Sequence, residues 1–131
     1  MGSEAGWFDY NFERLLAKKQ GKIIEALDEV NFEGASLVHG DLWSGNVFWS
    51  ESGPALIDPA VYYGSREVDI AFSEMFGGFE RSFYDAYHEV YPLLPEYPRR
   101  KIILNLYHLM THSNLFGGEY ISDAYATLTR I

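Results

Sequence analysis

The sequence predicts an α+β fold, mainly α, with one small β-hairpin near its middle. Three observations carry this. Apolar residues recur at helical spacing through most of the chain. Two short strand-like runs, "NVFW" and "PALID", flank the turn residues "SESG". Nothing reads as an internal repeat, a low-complexity tract or a linker, so residues 1–131 are expected to form a single domain.

The first helix is marked by Phe8, Phe12, Leu15 and Leu16, then by Ile23, Ile24, Leu27 and Val30, with Gly21 as a candidate break. "NFEGAS" supplies turn chemistry, and Leu37 and Val38 make a short apolar stretch. The hairpin follows, its second run ended by Pro59, and "PAVYYGS" reads as an irregular loop. A helix is expected from Arg66 to Phe76, apolar at Val68, Ile70, Ala71, Met75 and Phe76 and closed by Gly77-Gly78. Another covers Phe83 to Tyr91 and stops at Pro92. "PLLPEYP" holds three prolines and reads as a rigid extended connector. Ile102, Ile103, Leu106, Leu109 and Met110 form a strong helical stripe ending at Gly117-Gly118. Ser122 to Leu128 reads as a last short helix, with Ser122 or Asp123 as its cap.

Composition narrows the function classes. Hydrophobic residues at 47% and aromatics at 17% suit a packed core rather than disorder. A net charge of −9 argues against nonspecific nucleic-acid binding, which requires a basic face. An acidic chain that handles a nucleotide would need Mg²⁺ to bridge its carboxylates to phosphate. The absence of cysteine excludes disulfides and thiolate zinc sites and makes the cytoplasm the expected location. The apolar runs are too short to span a bilayer, and "MGSEAGW" lacks the pattern of a secretory signal, so no membrane partner is expected.

The chemistry concentrates in "LVHGDLWSGN", residues 37–46. Asp41 and Asn46 stand just before the first hairpin run, and Asp58 stands at the end of the second. A hairpin returns its exit to its entrance, so Asp58 is expected beside Asn46 with Asp41 close by. Hard oxygen donors with few protein contacts suit Mg²⁺, which keeps waters and substrate phosphates as its other ligands. A base Asp, an Asn five positions on and a metal Asp after a hairpin is the layout of phosphoryl-transferring kinases. Asp and Asn are also ordinary turn formers, but that accounts for each residue singly and not for their order around one hairpin.

On "HGDLWSGNV", "IDPAVYYGSREVDIAFSEMFGGF", "RSFYDAYHEVYPL" and "WFDYNFERLLAKKQ", the sequence resembles the catalytic half of the fructosamine kinases, or ketosamine-3-kinases, of the aminoglycoside-phosphotransferase-like group. The resemblance implies the C-terminal lobe of a protein-kinase-like fold. It implies transfer of phosphate from ATP, with Mg²⁺, to a sugar hydroxyl of a small-molecule or protein-bound ketosamine, a deglycation step. Asp41 would be the catalytic base, and Asn46 and Asp58 would hold Mg²⁺ against the ATP phosphates. His39 would brace the catalytic loop, and Asp69 would receive backbone N–H groups of that loop. Trp43 would offer an aromatic face to the acceptor, in competition with a plain core role.

Several residues outside this motif have plainer readings. His108 and His112 have metalloprotease spacing, but Leu109 stands where the catalytic Glu is needed, so a polar helix pair is expected. His88 reads as surface or core edge, and Lys18, Lys19 and Lys22 as a solvated face. The aromatics of "FSEMFGGFERSFYDAYHEVY" are expected mostly in the core, and Arg66 and Glu67 either pair across the loop or are solvated.

The rest of the kinase apparatus is not in these residues. No G-x-G-x-x-G occurs, and no strand lysine is available to pair with phosphates. Residues 1–131 are therefore expected to be a C-terminal catalytic and acceptor lobe without its nucleotide lobe, with little activity alone. The exposed lobe face would favour a homodimer. The rival readings are a noncatalytic binding module that keeps the lobe fold, and another small-molecule kinase of the aminoglycoside or choline kinase group.

Overall fold

The computed structural model describes the backbone of residues 10–116 and 119–131, and the side chains of these except 111–116. Phe8, the Gly117-Gly118 stop and the His112 side chain lie outside the described residues. The chain divides into two compact units, residues 30–97 and residues 1–29 with 98–131.

The second of these units is helical. Helix α1 runs Tyr10–Asp28, α4 runs Tyr97–Phe116 and α5 runs Glu119–Arg130. Gly21 does not break α1, which continues through it. Phe12 and Ala26 of α1 are buried, as are Ile103, Leu106, Leu109 and Met110 of the α4 stripe and Ala124 and Leu128 of α5. Phe12 meets Tyr125 with ring centroids 5.7 Å apart. Arg100, 1% exposed, donates to Glu29 at 2.9 Å, so its buried charge has a partner. Helix α5 starts earlier than the sequence suggests, and Ser122 and Asp123 sit inside it rather than capping it. His108 is buried.

Residues 30–97 hold the four strands found among the described residues. A 3₁₀ turn, Asn31–Glu33, ends at Gly34 with φ 75°. Strand β1 is Ser36–Val38, β2 is Val47–Ser50, β3 is Gly53–Leu56 and β4 is Tyr62–Gly64. β2 and β3 form the expected hairpin, pairing Val47 with Leu56 and Ser50 with Gly53. β4 falls in "PAVYYGS", which local signals describe as loop. It pairs antiparallel with β1, Leu37 opposite Tyr63, and so is set by a partner 26 residues away rather than by its own sequence. Both ribbons carry exposed apolar side chains, with Leu37, Phe48, Trp49 and Tyr63 all more than half exposed.

Helix α2, Glu67–Phe76, presents Val68, Ile70, Ala71 and Phe72 to the interior and ends at Gly77, φ 72°, whose N–H returns to the Ser73 carbonyl. Helix α3, Arg81–Val90, buries no residue fully. The aromatics around it are accordingly half-buried or exposed, apart from Phe72, and not the core they suggest in sequence. Ring pairing holds them, as in Phe79 stacked on Phe83 at 4.6 Å. The connector after α3 is extended only to Leu94. It turns at Pro95 and Glu96 and enters α4 at Tyr97, where Pro98 sits in the first turn and loses no helical hydrogen bond.

Candidate active site

β1 delivers the chain into the loop 39–46, and β2 leads it away. Each group in this loop has a structural reason for its place. Gly40 has φ 85°, and a Cβ there would overlap the backbone carbonyl of Ala60, so only glycine passes. The Ala60 N–H donates to the His39 carbonyl at 2.8 Å, which ties the loop to the segment after Asp58. Ser44–Asn46 forms a single 3₁₀ turn that carries Asn46 into the interior. Gly45 lies under the Trp43 indole, which a Cβ would strike. Gly78, φ 97°, lies so close to Ser44 that a side chain would overlap its hydroxyl. The Gly-Gly after α2 therefore closes the helix and also admits the loop.

Asp41 is half-buried and Asn46 is 6% exposed. Asn46 Nδ2 donates to the Asp41 carbonyl at 2.9 Å and to Asp41 Oδ2 at 3.1 Å. The Asn46 amide nitrogen is thus committed to a single residue, Asp41. The Ile57 N–H donates to the Asn46 carbonyl at 2.9 Å, extending the hairpin ladder by one step. Asp58, the next residue, leaves the ribbon beside Asn46 with φ 48° and an exposed side chain. Aspartate is among the few residues that tolerate this left-handed backbone, which costs about 1 kcal/mol and turns the chain out of the sheet.

His39 and Asp69 support the loop. The Asp69 carboxylate accepts the His39 N–H at 2.8 Å and the Gly40 N–H at 2.9 Å, one on each oxygen. The Asp41 N–H donates to His39 Nδ1 at 3.2 Å, so that nitrogen is the acceptor. Nε2 then carries the proton and donates to the Ile57 carbonyl at 2.9 Å. The imidazole thus joins Asp41 to the residue before Asp58. Trp43 is 41% exposed, which excludes the plain core role.

The sequence leaves Arg66 between two readings, and the residue proves to be buried and paired. Its guanidinium meets the Glu33 carboxylate at 3.1 Å. Burial works against this charge, but hydrogen bonds with Tyr87 and Glu33 outweigh it and raise the pKa above the ordinary arginine value. Glu67 is fully buried. Tyr97 donates to Glu74 at 2.7 Å, and burial followed by that carboxylate raises its pKa. None of these partners lies within one helical turn in sequence, so no local pattern announces them.

A cavity of about 960 Å³ borders the loop, with walls that include Leu42, Ser44, Trp49, Asp69, Phe83 and Tyr87. Asp41, Asn46 and Asp58 do not line it. Among the described residues no group of three His, Cys, Asp or Glu is placed to hold a metal ion. The oxygen donors here are two carboxylates and an amide. That set fits a cation which keeps waters and phosphate oxygens for most of its shell.

Comparison with known proteins gives this arrangement its context. The sequence profile described as fructosamine kinase matches residues 10–131. The chain belongs to the fructosamine kinase family. It is 55% identical over 96 residues to "Probable ketoamine kinase" of Vibrio parahaemolyticus, covering 73% of this chain and 33% of that one. It is 47% identical over 85 residues to ketosamine-3-kinase of Mus musculus, covering 65% of this chain and 28% of that one. A crystal structure assigned as a fructosamine-3-kinase from Thermobifida fusca superposes with a TM-score of 0.80 at 34% identity, over 98% of this chain and 44% of that one. The chain therefore spans about a third of the length of the curated relatives it matches. The fold is that of these kinases, mainly helical with a small strand content, as the sequence predicts.

Proposed function

We propose that the loop 39–46 and the hairpin exit form the phosphoryl-transfer site of an ATP-dependent kinase acting on a sugar hydroxyl of ketosamines. The observation that carries this is the joint placement of Asp41, Asn46 and Asp58. One amide is locked to the Asp41 carboxylate through its nitrogen, while Asp58 leaves the ribbon one residue past the Asn46–Ile57 bond. The names of the relatives supply the acceptor class.

In this reading Asp41 Oδ1 receives the acceptor hydroxyl and takes its proton. The acceptor oxygen forms the new bond to the γ-phosphorus as the bond to the β–γ bridging oxygen breaks, and ADP leaves. Asn46, through its amide oxygen, and Asp58 would hold Mg²⁺. When bound, the ion offsets the charge that develops on the phosphates. Asn46 also fixes the rotamer of the Asp41 carboxylate, so the base is oriented before substrate arrives. Trp43, its ring against Gly45 and 41% of its surface exposed, offers an aromatic surface to the acceptor. By themselves the 131 residues are expected to transfer phosphate poorly, because no glycine-rich loop or strand lysine is present to clasp the nucleotide.

The experiment is a calorimetric Mg²⁺–nucleotide titration with a coupled ATPase assay on a ketosamine acceptor. It is run on this chain and on one extended at its N-terminus to the length of the relatives. In the extended chain Asp41→Asn is expected to lower kcat by about 10²–10⁴-fold with the KM for ATP little changed. Asp58→Asn is expected to abolish Mg²⁺-dependent nucleotide binding. Near-normal turnover by Asp41→Asn would overturn the assignment of the base, and robust turnover by the 131 residues alone would overturn their proposed dependence on a nucleotide lobe.

A further inference from the structure

We infer that Arg66 is a positioning residue for this site, one that sets the catalytic loop through Asp69; the inference rests on the reading of Asp41 above and deepens it. Arg66 stands immediately before α2 and is 8% exposed. Its Nε and one terminal nitrogen donate to the two Glu33 oxygens at 3.4 and 3.1 Å. The other terminal nitrogen donates to the Tyr87 hydroxyl at 3.1 Å and the Tyr91 carbonyl at 3.0 Å, and the Pro92 carbonyl receives a further bond at 2.7 Å. The guanidinium carbon lies 3.5 Å from the centre of the Tyr91 ring. A planar fork that bonds a carboxylate along one edge, carbonyls along another and a ring on its face is a role for arginine and not for lysine.

The position of this knot in the chain gives it its consequence. Glu33 lies three residues before β1, the strand that ends at Val38 and leads into His39. Arg66 lies three residues before Asp69, and the first turn of α2 joins them rigidly. The Arg66–Glu33 pair therefore ties the roots of the two segments whose tips are tied by the Asp69 carboxylate and the His39 and Gly40 amides. The β1–β4 ladder, Ser36 opposite Gly64, sets the register between these segments, and the ion pair adds a side-chain tie just beyond the end of that ladder. The hydrogen bonds of Arg66 go to Glu33, Tyr87, Tyr91 and Pro92 and to none of Asp41, Asn46 and Asp58, so its effect on them passes through Asp69.

Amide hydrogen exchange tests this without depending on activity, so its outcome is separate from that of the kinase assay. In Arg66→Lys and in Glu33→Gln the His39 and Gly40 amides are expected to exchange at least about tenfold faster than in the unaltered chain, while the Ala124 and Leu128 amides of α5 change by less than global stability accounts for. Asp69→Asn alone is expected to accelerate the same two amides. The Arg66→Lys/Asp69→Asn double variant is expected to add little to the larger single effect, as for two residues acting in one chain of contacts. Glu33→Gln keeps the shape and one acceptor oxygen, so it carries the comparison if Arg66→Lys does not fold. Uniform acceleration in proportion to lost stability, no change at His39 and Gly40, or simple addition of the two effects would each reduce Arg66 to a structural residue and overturn the inference.

Discussion

The tightest point of the site is a glycine, and replacing it gives a graded test of the loop geometry. Gly34, Gly40 and Gly78 all have positive φ, at 75°, 85° and 97°. An alanine at any of them bears the left-handed penalty of about 1 kcal/mol. What differs is the space. A Cβ on Gly34 meets nothing within 4 Å, so Gly34→Ala should cost only that penalty. A Cβ on Gly78 meets the Ser44 side chain, which can rotate aside at the expense of its packing. A Cβ on Gly40 meets the carbonyl of Ala60, its oxygen in overlap and its carbon at 2.8 Å, and backbone cannot rotate aside. To relieve the overlap, Gly40→Ala must break the Ala60–His39 hydrogen bond or pull Gly40 off Asp69. Either adds a lost buried bond of about 1–3 kcal/mol, for a total near 2–4 kcal/mol. Thermal unfolding of the three variants should rank them Gly34→Ala, Gly78→Ala, Gly40→Ala in rising loss. The last is expected to lower Tm by about 8–15 °C. If Gly40→Ala costs no more than Gly34→Ala, the contact between the loop and the Asp58 side of the hairpin is wrong.

Two further outcomes follow from the buried polar groups. His39→Phe keeps the ring but strands the Asp41 N–H and the Ile57 carbonyl, so it should cost about 2–4 kcal/mol by chemical denaturation, whereas His39→Gln should recover part of that; equal losses would show that only volume matters there. Tyr97 has a raised pKa, so the folded state keeps its proton above pH 10 while the unfolded chain, at about pH 10, releases it. Its contribution is whole below that pH and falls as pH rises beyond it. Tm should therefore drop between about pH 10 and 11.5, and less steeply in Tyr97→Phe; an unchanged slope in that variant would assign the alkaline loss to other groups.

The fold class and the hairpin are legible because their signals are local. Helical stripes, the Gly77-Gly78 stop and two runs around "SESG" each act within a few residues. β4 is not, since three residues with no turn of their own become a strand only when β1 lies beside them. The α5 start escapes the sequence for a related reason. Ser122 and Asp123 are good caps, yet Glu119 and Tyr120 already belong to the helix, and cap propensity is worth too little to stop a helix that packing extends. The candidate site divides the same way. Asp41, Asn46 and Asp58 stand in an order that the hairpin itself explains, whereas Arg66 and Glu33 are 33 residues apart and have no common motif. Charge and apolar periodicity describe surfaces, and a buried ion pair is by construction off the surface.

The supports of the loop share one property. Asp69 holds backbone amides, Ala60 holds a backbone carbonyl, Gly78 gives way to Ser44, and His39 spans to the Ile57 carbonyl. None of them takes hold of the Asp41 carboxylate or of Asp58. The main chain is fixed while the Asp41 and Asp58 carboxylates stay uncommitted to it, apart from the one bond that Asn46 donates to Asp41 Oδ2. Catalysis by prearranged charge requires this division, because a carboxylate spent on holding its own loop cannot also receive a proton. All of these contacts also lie within residues 30–97. The placement of Asp41, Asn46 and Asp58 is therefore a property of that unit's own chain. In the proposed reading, a nucleotide-clasping segment would supply phosphate contacts and would not need to reorient Asp41.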